Sequence, residues 1–166
     1  MNENQKNILE MLNDGPTAII GVPGDGKITK LVVIMKKADK SCFNISLRLL
    51  TSESDFAMAV ETCAQYARSF PDSDIYLILD EASPDMSEEV LKALETFVTE
   101  RRIGERTYPG NLKPVIVMNY DGNLRKIQER FPFLKHMLFN DNSQPMPDDV
   151  AEGVLRLEEL LKGGRT

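Results

Sequence analysis

The sequence has few of the residues from which a protein builds a metal centre. Its 166 residues include two cysteines, one histidine and no tryptophan. Cys42 and Cys63 are not spaced as zinc ligands are, and His136 lies far along the chain from both. We therefore predict no zinc or iron site. We interpret both cysteines as buried free thiols in a reducing compartment.

The sequence also lacks an excess of positive charge. Its 20 lysines and arginines are outnumbered by 26 aspartates and glutamates, which gives a formal net charge of −6. A protein with this balance is a poor candidate for non-specific binding to nucleic acid or to anionic lipid. We therefore expect no direct nucleic-acid partner.

Membrane and export signals are missing as well. No apolar run approaches the ~20 residues that a membrane-spanning helix needs. The N-terminal stretch MNENQKNILEMLNDG is polar and lacks the basic-then-apolar order of a signal peptide. These observations predict a soluble, cytoplasmic protein without a membrane partner.

Short apolar runs bounded by turn residues alternate with segments of helical periodicity. This alternation is typical of an α/β domain in which helices cover both faces of a mainly parallel sheet. We predict five strands, the last of them at a sheet edge, at 17–22, 43–49, 75–80, 113–120 and 134–140. We predict helices at 5–12, 28–37, 54–70, from about 83–85 to 98, at 122–131 and at 147–162, with a small hairpin at 104–111. Asp85 and Glu88 have the spacing of a helix capping pair. No linker separates these segments, so we expect one domain over 1–166.

A glycine-rich segment follows the first predicted strand and precedes a predicted helix. It fits the phosphate-loop pattern G-x-x-x-x-G-K and consists of Gly21, Val22, Pro23, Gly24, Asp25, Gly26 and Lys27. Glycines let the backbone curl so that its N–H groups point at a phosphate, and the helix N-terminus adds partial positive charge. Lys27 supplies a full charge for the terminal phosphates. The segment therefore predicts a site for ATP or ADP.

The residue after the lysine departs from this pattern. Most such loops carry Ser or Thr there, and its hydroxyl helps to hold Mg²⁺, whereas this sequence has Ile28. A hydroxyl comes one position later, at Thr29, which a helix rotates by ~100° from that point. Thr29 could face the α-phosphate or reach the metal through a water. We predict that Ile28 and Thr29 belong to a working phosphate loop with a weakened magnesium site.

Two further predicted strands end in polar residues. Asp80 and Glu81 end the strand IYLILDE, and Asn119 ends the strand VIVMN. The carboxyl ends of parallel strands form the edge at which open α/β sheets bind ligands. An aspartate there can hold the magnesium ion, and a neighbouring glutamate can deprotonate an attacking water. An asparagine can hydrogen-bond that water or the γ-phosphate, so all three residues are candidates for the site.

Taken together, these segments resemble a known family. GVPGDGK, IYLILDE, VIVMN and ERF look like the Walker A, Walker B, sensor-1 and arginine-finger segments of AAA+ ATPases. The stretch 80–119 and the segment SLRLLTSESDF are similar to the MoxR-like branch of that family. The resemblance covers about 17–139. It implies a three-layer P-loop NTPase fold with a five-stranded, mainly parallel sheet, and ATP hydrolysis with Mg²⁺.

The resemblance also implies a role for each matching residue. Lys27 would contact phosphate, Asp80 would hold the metal, and Glu81 would be the catalytic base. Asn119 would be the sensor-1 residue. Arg130, in the segment ERF, would be the finger that enters the site of a neighbouring subunit.

Members of this family continue into a helical lid domain, whereas one predicted helix follows the core in this sequence. We therefore expect a homo-oligomer, or a partner chain that supplies the missing lid. The expected function is slow ATP hydrolysis coupled to the assembly or remodelling of a partner protein. The sequence does not identify that client.

Two other functions explain part of the pattern. A degenerate AAA+ interaction module without hydrolysis would account for Ile28 and the missing lid, but not for the presence of Glu81, Asn119 and Arg130. A small P-loop kinase of nucleotides or metabolites would account for Thr29, because some such kinases have Thr two places after the lysine. The adjacent carboxylates at 80 and 81 suit the activation of water and oppose the kinase.

Overall fold

The computed structural model describes residues 3–24, 26–140 and 155–156, and it describes side chains at 8–24 and 26–140. The first elements in chain order are α1 (Glu3–Asp14), β1 (Thr17–Gly21), α2 (Lys27–Lys37), β2 (Ser41–Ser46), a 3₁₀ turn (Leu47–Leu49) and α3 (Glu53–Ser69). The later elements are β3 (Ile75–Ala82), α4 (Glu88–Glu100), β4 (Arg102–Ile103), β5 (Arg106–Thr107), β6 (Leu112–Asn119), α5 (Leu124–Arg130), β7 (His136–Asn140) and β8 (Leu155–Arg156).

The main sheet is parallel, with the strand order β2-β3-β6-β1-β7-β8. β1 is buried at every position, and so are the first five residues of β3. Such strands need helices on both faces of the sheet, which is the reason for their continuous apolar sequence. The predicted α/β class with a five-stranded parallel sheet is confirmed, and β8 adds a sixth strand of two residues.

Alternate residues of the central strands face two separate apolar clusters. Ile19 and Val117 point to the face covered by α1 and α2. Ile20 and Ile116 point to the opposite face, which α3, α4 and α5 cover. The three layers therefore follow from the two-residue period of a strand acting on an unbroken apolar run. Because the carboxyl ends of parallel strands lie at the same edge of the sheet, this arrangement brings the ends of β1, β3 and β6 together.

The end of the described chain differs from the prediction. Leu155–Arg156 lies inside the helix predicted at 147–162, but it forms β8 and pairs with Leu138 and Phe139 of β7. The rest of that predicted helix lies outside the described residues. Without β8, the outer edge of β7 would present unpaired backbone groups. Leu155 and Arg156 pair with this edge, and their backbone groups therefore cannot make helical hydrogen bonds. β7 is consequently not an edge strand as predicted, since β8 lies beyond it.

The second strand is shorter than predicted. Alternation of apolar residues extends to 49, yet β2 ends at Ser46 and the chain turns through Leu47–Leu49. Leu47 is buried and Leu49 is 74% exposed. The 3₁₀ turn keeps Leu47 in the core and puts the next side chains outside, so the alternating pattern alone overestimates the strand.

The start of α4 also differs, because the predicted capping pair of Asp85 and Glu88 is wrong. The cap is Ser87, whose hydroxyl accepts a hydrogen bond from the Val90 N–H at 3.3 Å. Ser87 has an extended backbone, as an N-cap requires. Asp85 instead pairs with Lys126. The helix therefore begins later than predicted.

The other predicted strands and helices are present, with ends shifted by no more than two residues, whereas the hairpin predicted at 104–111 lies at 102–107. The small hairpin begins at Arg102, and its two-residue turn has Gly104 at a φ of 59°. Both cysteines are free, Cys63 being buried and Cys42 half-buried. Burial raises the pKa of both thiols. None of the described helices has the length and apolar character needed to cross a membrane.

Phe97 on α4 tests the packing of the larger cluster. It is fully buried, and its ring meets Phe56 at 5.8 Å and Tyr108 at 5.7 Å, both edge-on. We expect Phe97→Ala to lower the free energy of unfolding in urea by about 3–5 kcal/mol, through lost transfer energy and a cavity. The control, Met58→Ala on the 64% exposed Met58 of α3, should change it by less than about 0.5 kcal/mol. Equal effects of the two substitutions would contradict this packing.

Candidate functional site

The glycine-rich loop joins the end of β1 to the start of α2. Gly24 and Gly26 have φ values of 76° and 84°, and a Cβ on either would meet nothing within 4 Å. Glycine is needed here for its left-handed backbone, since space around it is ample. Gly26 is the N-cap of α2 and has no side chain to bond the first N–H groups of the helix. Those donors, together with the helix dipole, make this end of α2 suited to an anion.

Lys27 connects the loop to the end of β6. Its side chain is only 6% exposed, and its Nζ donates to the Val22 carbonyl and to Asn119 Oδ1, each at 2.9 Å. The second contact follows from the pairing of β1 with β6, which sets Gly21 beside Asn119. The lysine charge is thereby held over the loop, with the asparagine amide beside it.

The two carboxylates leave β3 at an irregular point of the sheet. The pairing of β3 with β6 shifts between Leu79 and Ala82, and Glu81 has a φ of 59°. A positive φ is uncommon outside glycine, and it costs about 1–3 kcal/mol of local strain. Asp80 Oδ1 accepts the Glu81 N–H at 2.8 Å. The irregularity lets consecutive residues both line the same cleft, which a regular strand would not allow.

Two residues of the β2 segment hold the Glu81 carboxylate. Ser46 Oγ donates to Oε1 at 2.6 Å, and Arg48 Nε lies 3.1 Å from Oε2. The sequence analysis missed both residues. Ser46 was detectable in principle as a polar residue at the end of a strand that pairs with Asp80, whereas Arg48 had no distinguishing pattern. The glutamate is therefore directed towards β2 by a hydroxyl and a guanidinium.

A cleft of about 310 Å³, the phosphate cleft, collects most of the predicted site. Its walls are Pro23, Gly24, Gly26, Lys27, Ile28, Thr29, Asp80, Glu81 and Asn119. Gly21 and Val22 lead into it from β1, and Asp25 lies outside the described residues. Segments that are far apart in the sequence thus meet at the carboxyl edge of β1, β3 and β6.

Ile28 and Thr29 take different positions on the first turn of α2. Ile28 is half-buried and packs against the cluster between α1, α2 and the sheet. Thr29 is exposed and lines the phosphate cleft with Asp80. Among the described residues, no group of three or more histidines, cysteines or carboxylates could hold a metal by itself. Mg²⁺ usually takes one or two protein oxygens and completes its shell with phosphate and water, so Asp80 and Thr29 fit it as partners of a nucleotide.

Arg130 does not line the phosphate cleft of its own chain. Its Nε donates to the Pro84 carbonyl at 2.9 Å, one Nη donates to the Met86 carbonyl at 3.3 Å, and the other pairs with Glu88. The guanidinium thereby ties the end of α5 to the loop between β3 and α4. Its expected role as a finger in a neighbouring subunit remains a prediction.

The left-handed glycines give a test of the loop. We expect Gly26→Ala to lower the free energy of unfolding by about 1–2 kcal/mol, because an L-residue is strained at this φ. Gly110 is the matched control, since it has no positive φ and equal space for a Cβ. Gly110→Ala should change stability by less than about 0.5 kcal/mol. Urea denaturation measures both, and a loop that tolerates alanine at 26 as well as at 110 would refute the described backbone.

The comparisons with known proteins give a structural likeness alone. No protein-family profile matches the sequence, and no curated protein sequence matches it significantly. The structure is similar to that of Thermotoga maritima RuvB, a Holliday junction branch migration motor, with a TM-score of 0.56, 16% identity, and coverage of 87% of this chain and 46% of RuvB. Two RuvB variants give TM-scores of 0.59 and 0.52 at 16% and 17% identity, covering 87% and 81% of this chain and 47% and 44% of theirs.

The chain thus spans less than half the length of the RuvB structures that it matches. Sequence identity at this level establishes a shared fold and says nothing about a shared substrate. The chain therefore shares with the RuvB structures the three-layer P-loop NTPase fold with a parallel sheet that the sequence predicts.

Proposed function

We propose that this chain is an ATP-binding AAA+ ATPase core of the MoxR-like branch, which hydrolyses ATP slowly and couples hydrolysis to the assembly or remodelling of a partner protein. The observation that carries the proposal is the phosphate cleft. It unites Lys27 of α2, Asp80 and Glu81 of β3, and Asn119 of β6 next to an anion-binding loop. A glycine-rich turn with a lysine is common, but these groups together have the composition of a hydrolytic nucleotide site.

In the proposed mechanism the loop N–H groups and Lys27 hold the β- and γ-phosphates. Lys27 Nζ exchanges a contact with Asn119 for a phosphate oxygen, which leaves the asparagine amide available to position a water. A magnesium ion held by Asp80 and Thr29 would neutralise phosphate charge. Glu81 accepts a proton from the attacking water. The oxygen of that water forms a bond to the γ-phosphorus, and the bond between the γ-phosphorus and the oxygen that bridges it to the β-phosphate breaks. ADP and phosphate are the products.

Slow turnover is expected from two features of the cleft. Ile28 contributes packing where a hydroxyl would assist the metal. Glu81 must rotate away from Ser46 and Arg48 before its carboxylate can accept a proton from a water beside the phosphates. The contacts of Glu81 with Ser46 and Arg48 each lower the fraction of time in which its carboxylate lies beside the attacking water. We therefore expect slow hydrolysis by the chain on its own.

The non-hydrolysing interaction module remains a second candidate, and one observation favours it. Ile28 packs against the apolar cluster and provides no hydroxyl at the position after Lys27, where most phosphate loops have one. In this case nucleotide would bind without measurable turnover. A kinase is distinguished by a requirement for a phosphoryl acceptor.

Phosphate release tests the proposal directly. We expect Glu81→Gln to lower the rate per chain by about 10²-fold or more, because it removes the general base. Its ATP affinity should remain close to that of the wild type. Lys37→Ala serves as the control, since Lys37 is an exposed lysine in the last turn of α2. Turnover should need no acceptor and should rise per chain with protein concentration if Arg130 acts between subunits.

The same assay contains its refutation. A rate that survives Glu81→Gln would show that the base is misassigned or that the activity comes from a contaminant. A rate that requires a phosphoryl acceptor would indicate a kinase. If Arg130→Ala lowered the rate equally at every concentration, the finger would be acting within its own chain.

A further inference from the structure

A second and larger cavity lies beside the phosphate cleft. We call it the loop cavity, because it is lined by Leu47, Arg48, Leu50 and Thr51 after β2 and by residues 82–87, which lead from the end of β3 to α4. Its volume is about 690 Å³, within the range of known ligand sites. Glu81 and Asn119 line both the loop cavity and the phosphate cleft. The proposed nucleotide chemistry makes no use of the rest of the loop cavity.

The inner surface of the loop cavity is apolar. Leu47, Ala82 and Val90 are almost fully buried at its base, and Leu50 and Met86 are half-buried on its sides. Beside these residues Leu49 is 74% exposed, which makes it the most exposed large apolar side chain among those described. The loop that lines the cavity therefore also exposes a large apolar side chain, which is typical of a surface that binds another protein.

The charged groups of the loop cavity are mainly acidic. Three carboxylates line it, those of Glu81, Asp85 and Asp121, against the single cation of Arg48. Lys126 reaches Asp85 from α5 at 2.6 Å, and this contact raises the pKa of the lysine. The Arg130–Glu88 pair behind the loop is neutral as a whole. The net charge of the groups at the loop cavity is therefore negative. Exposed ion pairs such as Lys126–Asp85 are weak enough to exchange partners.

The wall of the loop cavity is fixed before any ligand arrives. Arg130 holds the carbonyls of Pro84 and Met86 from the end of α5. The Ser87 cap anchors its far end to α4. A preformed site loses little conformational entropy on binding. The geometry is therefore that of a recognition site.

We propose that the loop cavity binds a short segment of a partner protein in which lysine or arginine alternates with apolar side chains. The apolar base would take the apolar side chains, and the basic ones would meet the carboxylates of Asp85 and Asp121. The proposed binding uses neither the phosphate loop nor Glu81 as a base, although the loop cavity shares Glu81 and Asn119 with the phosphate cleft.

Charge complementarity favours a partner segment over the other occupants. Residues 141–166 of this chain carry six aspartates and glutamates against three lysines and arginines, so as a whole they are a poor match for an acidic cavity. A second copy has a net charge of −6. Small amphipathic cations would fill the base and leave the neighbouring Leu49 exposed.

Fluorescence anisotropy without nucleotide tests the proposal. The probe is a labelled decapeptide of lysine, leucine and serine, compared with versions in which glutamate replaces lysine or serine replaces leucine. We expect saturable binding of the first peptide alone, weakening as ionic strength rises. Met86→Lys should weaken it by about tenfold or more, because it places a like charge in the wall. Met58→Lys, on an exposed residue of α3, is the matched control and should bind as the wild type does.

A second variant keeps the test decisive if Met86→Lys fails to fold. The double substitution Asp85→Asn with Asp121→Asn preserves side-chain oxygens and removes two charges, and it should weaken binding by about fivefold. Equal binding of the glutamate peptide, or no effect of either wall variant, would overturn the proposal. It would also be overturned if a small amphipathic amine bound as tightly as the peptide, or if Met86→Lys abolished a self-association of the wild type. ATP binding measured on the same samples reports separately on the proposed ATPase.

Discussion

Everything at the candidate site depends on the parallel pairing of β1, β3 and β6. In-register pairing of β1 with β6 brings Gly21 beside Asn119. Pairing of β3 with β6 then brings Asp80 and Glu81 to the same edge. The central parallel strands are covered on both faces, so polar side chains can gather without being buried at the ends of these strands. The same constraint that requires apolar strand interiors therefore concentrates the polar groups at one edge.

Glu81 combines a strained backbone with a side chain that is held by two neighbouring residues. Its backbone lies in the left-handed region, and its carboxylate is engaged by Ser46 and Arg48. It also forms part of the wall between the phosphate cleft and the loop cavity. Local strain in a non-glycine residue is retained only when surrounding contacts enforce it. Ser46 at the end of β2 and Arg48 in the turn after it are such contacts, and they direct the side chain away from a position over the loop.

Much of the fold and part of the site could be predicted because the relevant information is local. The apolar run IYLIL predicts a buried strand, and Asp80 directly after it predicts a polar residue at the carboxyl end of that strand. The glycine pattern before Lys27 specifies a loop whose backbone only glycine adopts easily. The rule that parallel strands end at one edge then brings Asn119 close to both. These inferences needed no knowledge of side-chain conformation.

What the sequence could not predict depends on distant contacts. Alternation through Leu49 resembles a strand until Leu47 is known to turn into the core. Asp85 and Ser87 are both acceptable caps for α4, and the pairing of Asp85 with Lys126 removes it from that role. β8 exists through pairing with β7, and the contacts of Arg130 join residues 42 to 46 positions apart. Such choices are made by tertiary structure among locally equivalent options.

The most direct test of the central claim, that the phosphate cleft binds a nucleotide, is calorimetric titration with ATP in the presence and absence of Mg²⁺. The account predicts saturable binding to the wild type, with a gain from Mg²⁺ that is small for a site lacking the usual hydroxyl. It also predicts a loss of at least about tenfold in affinity for Lys27→Ala, because a charge-assisted contact to phosphate is removed. Absence of binding to a folded wild-type chain, or equal affinity of the two chains, would contradict the account.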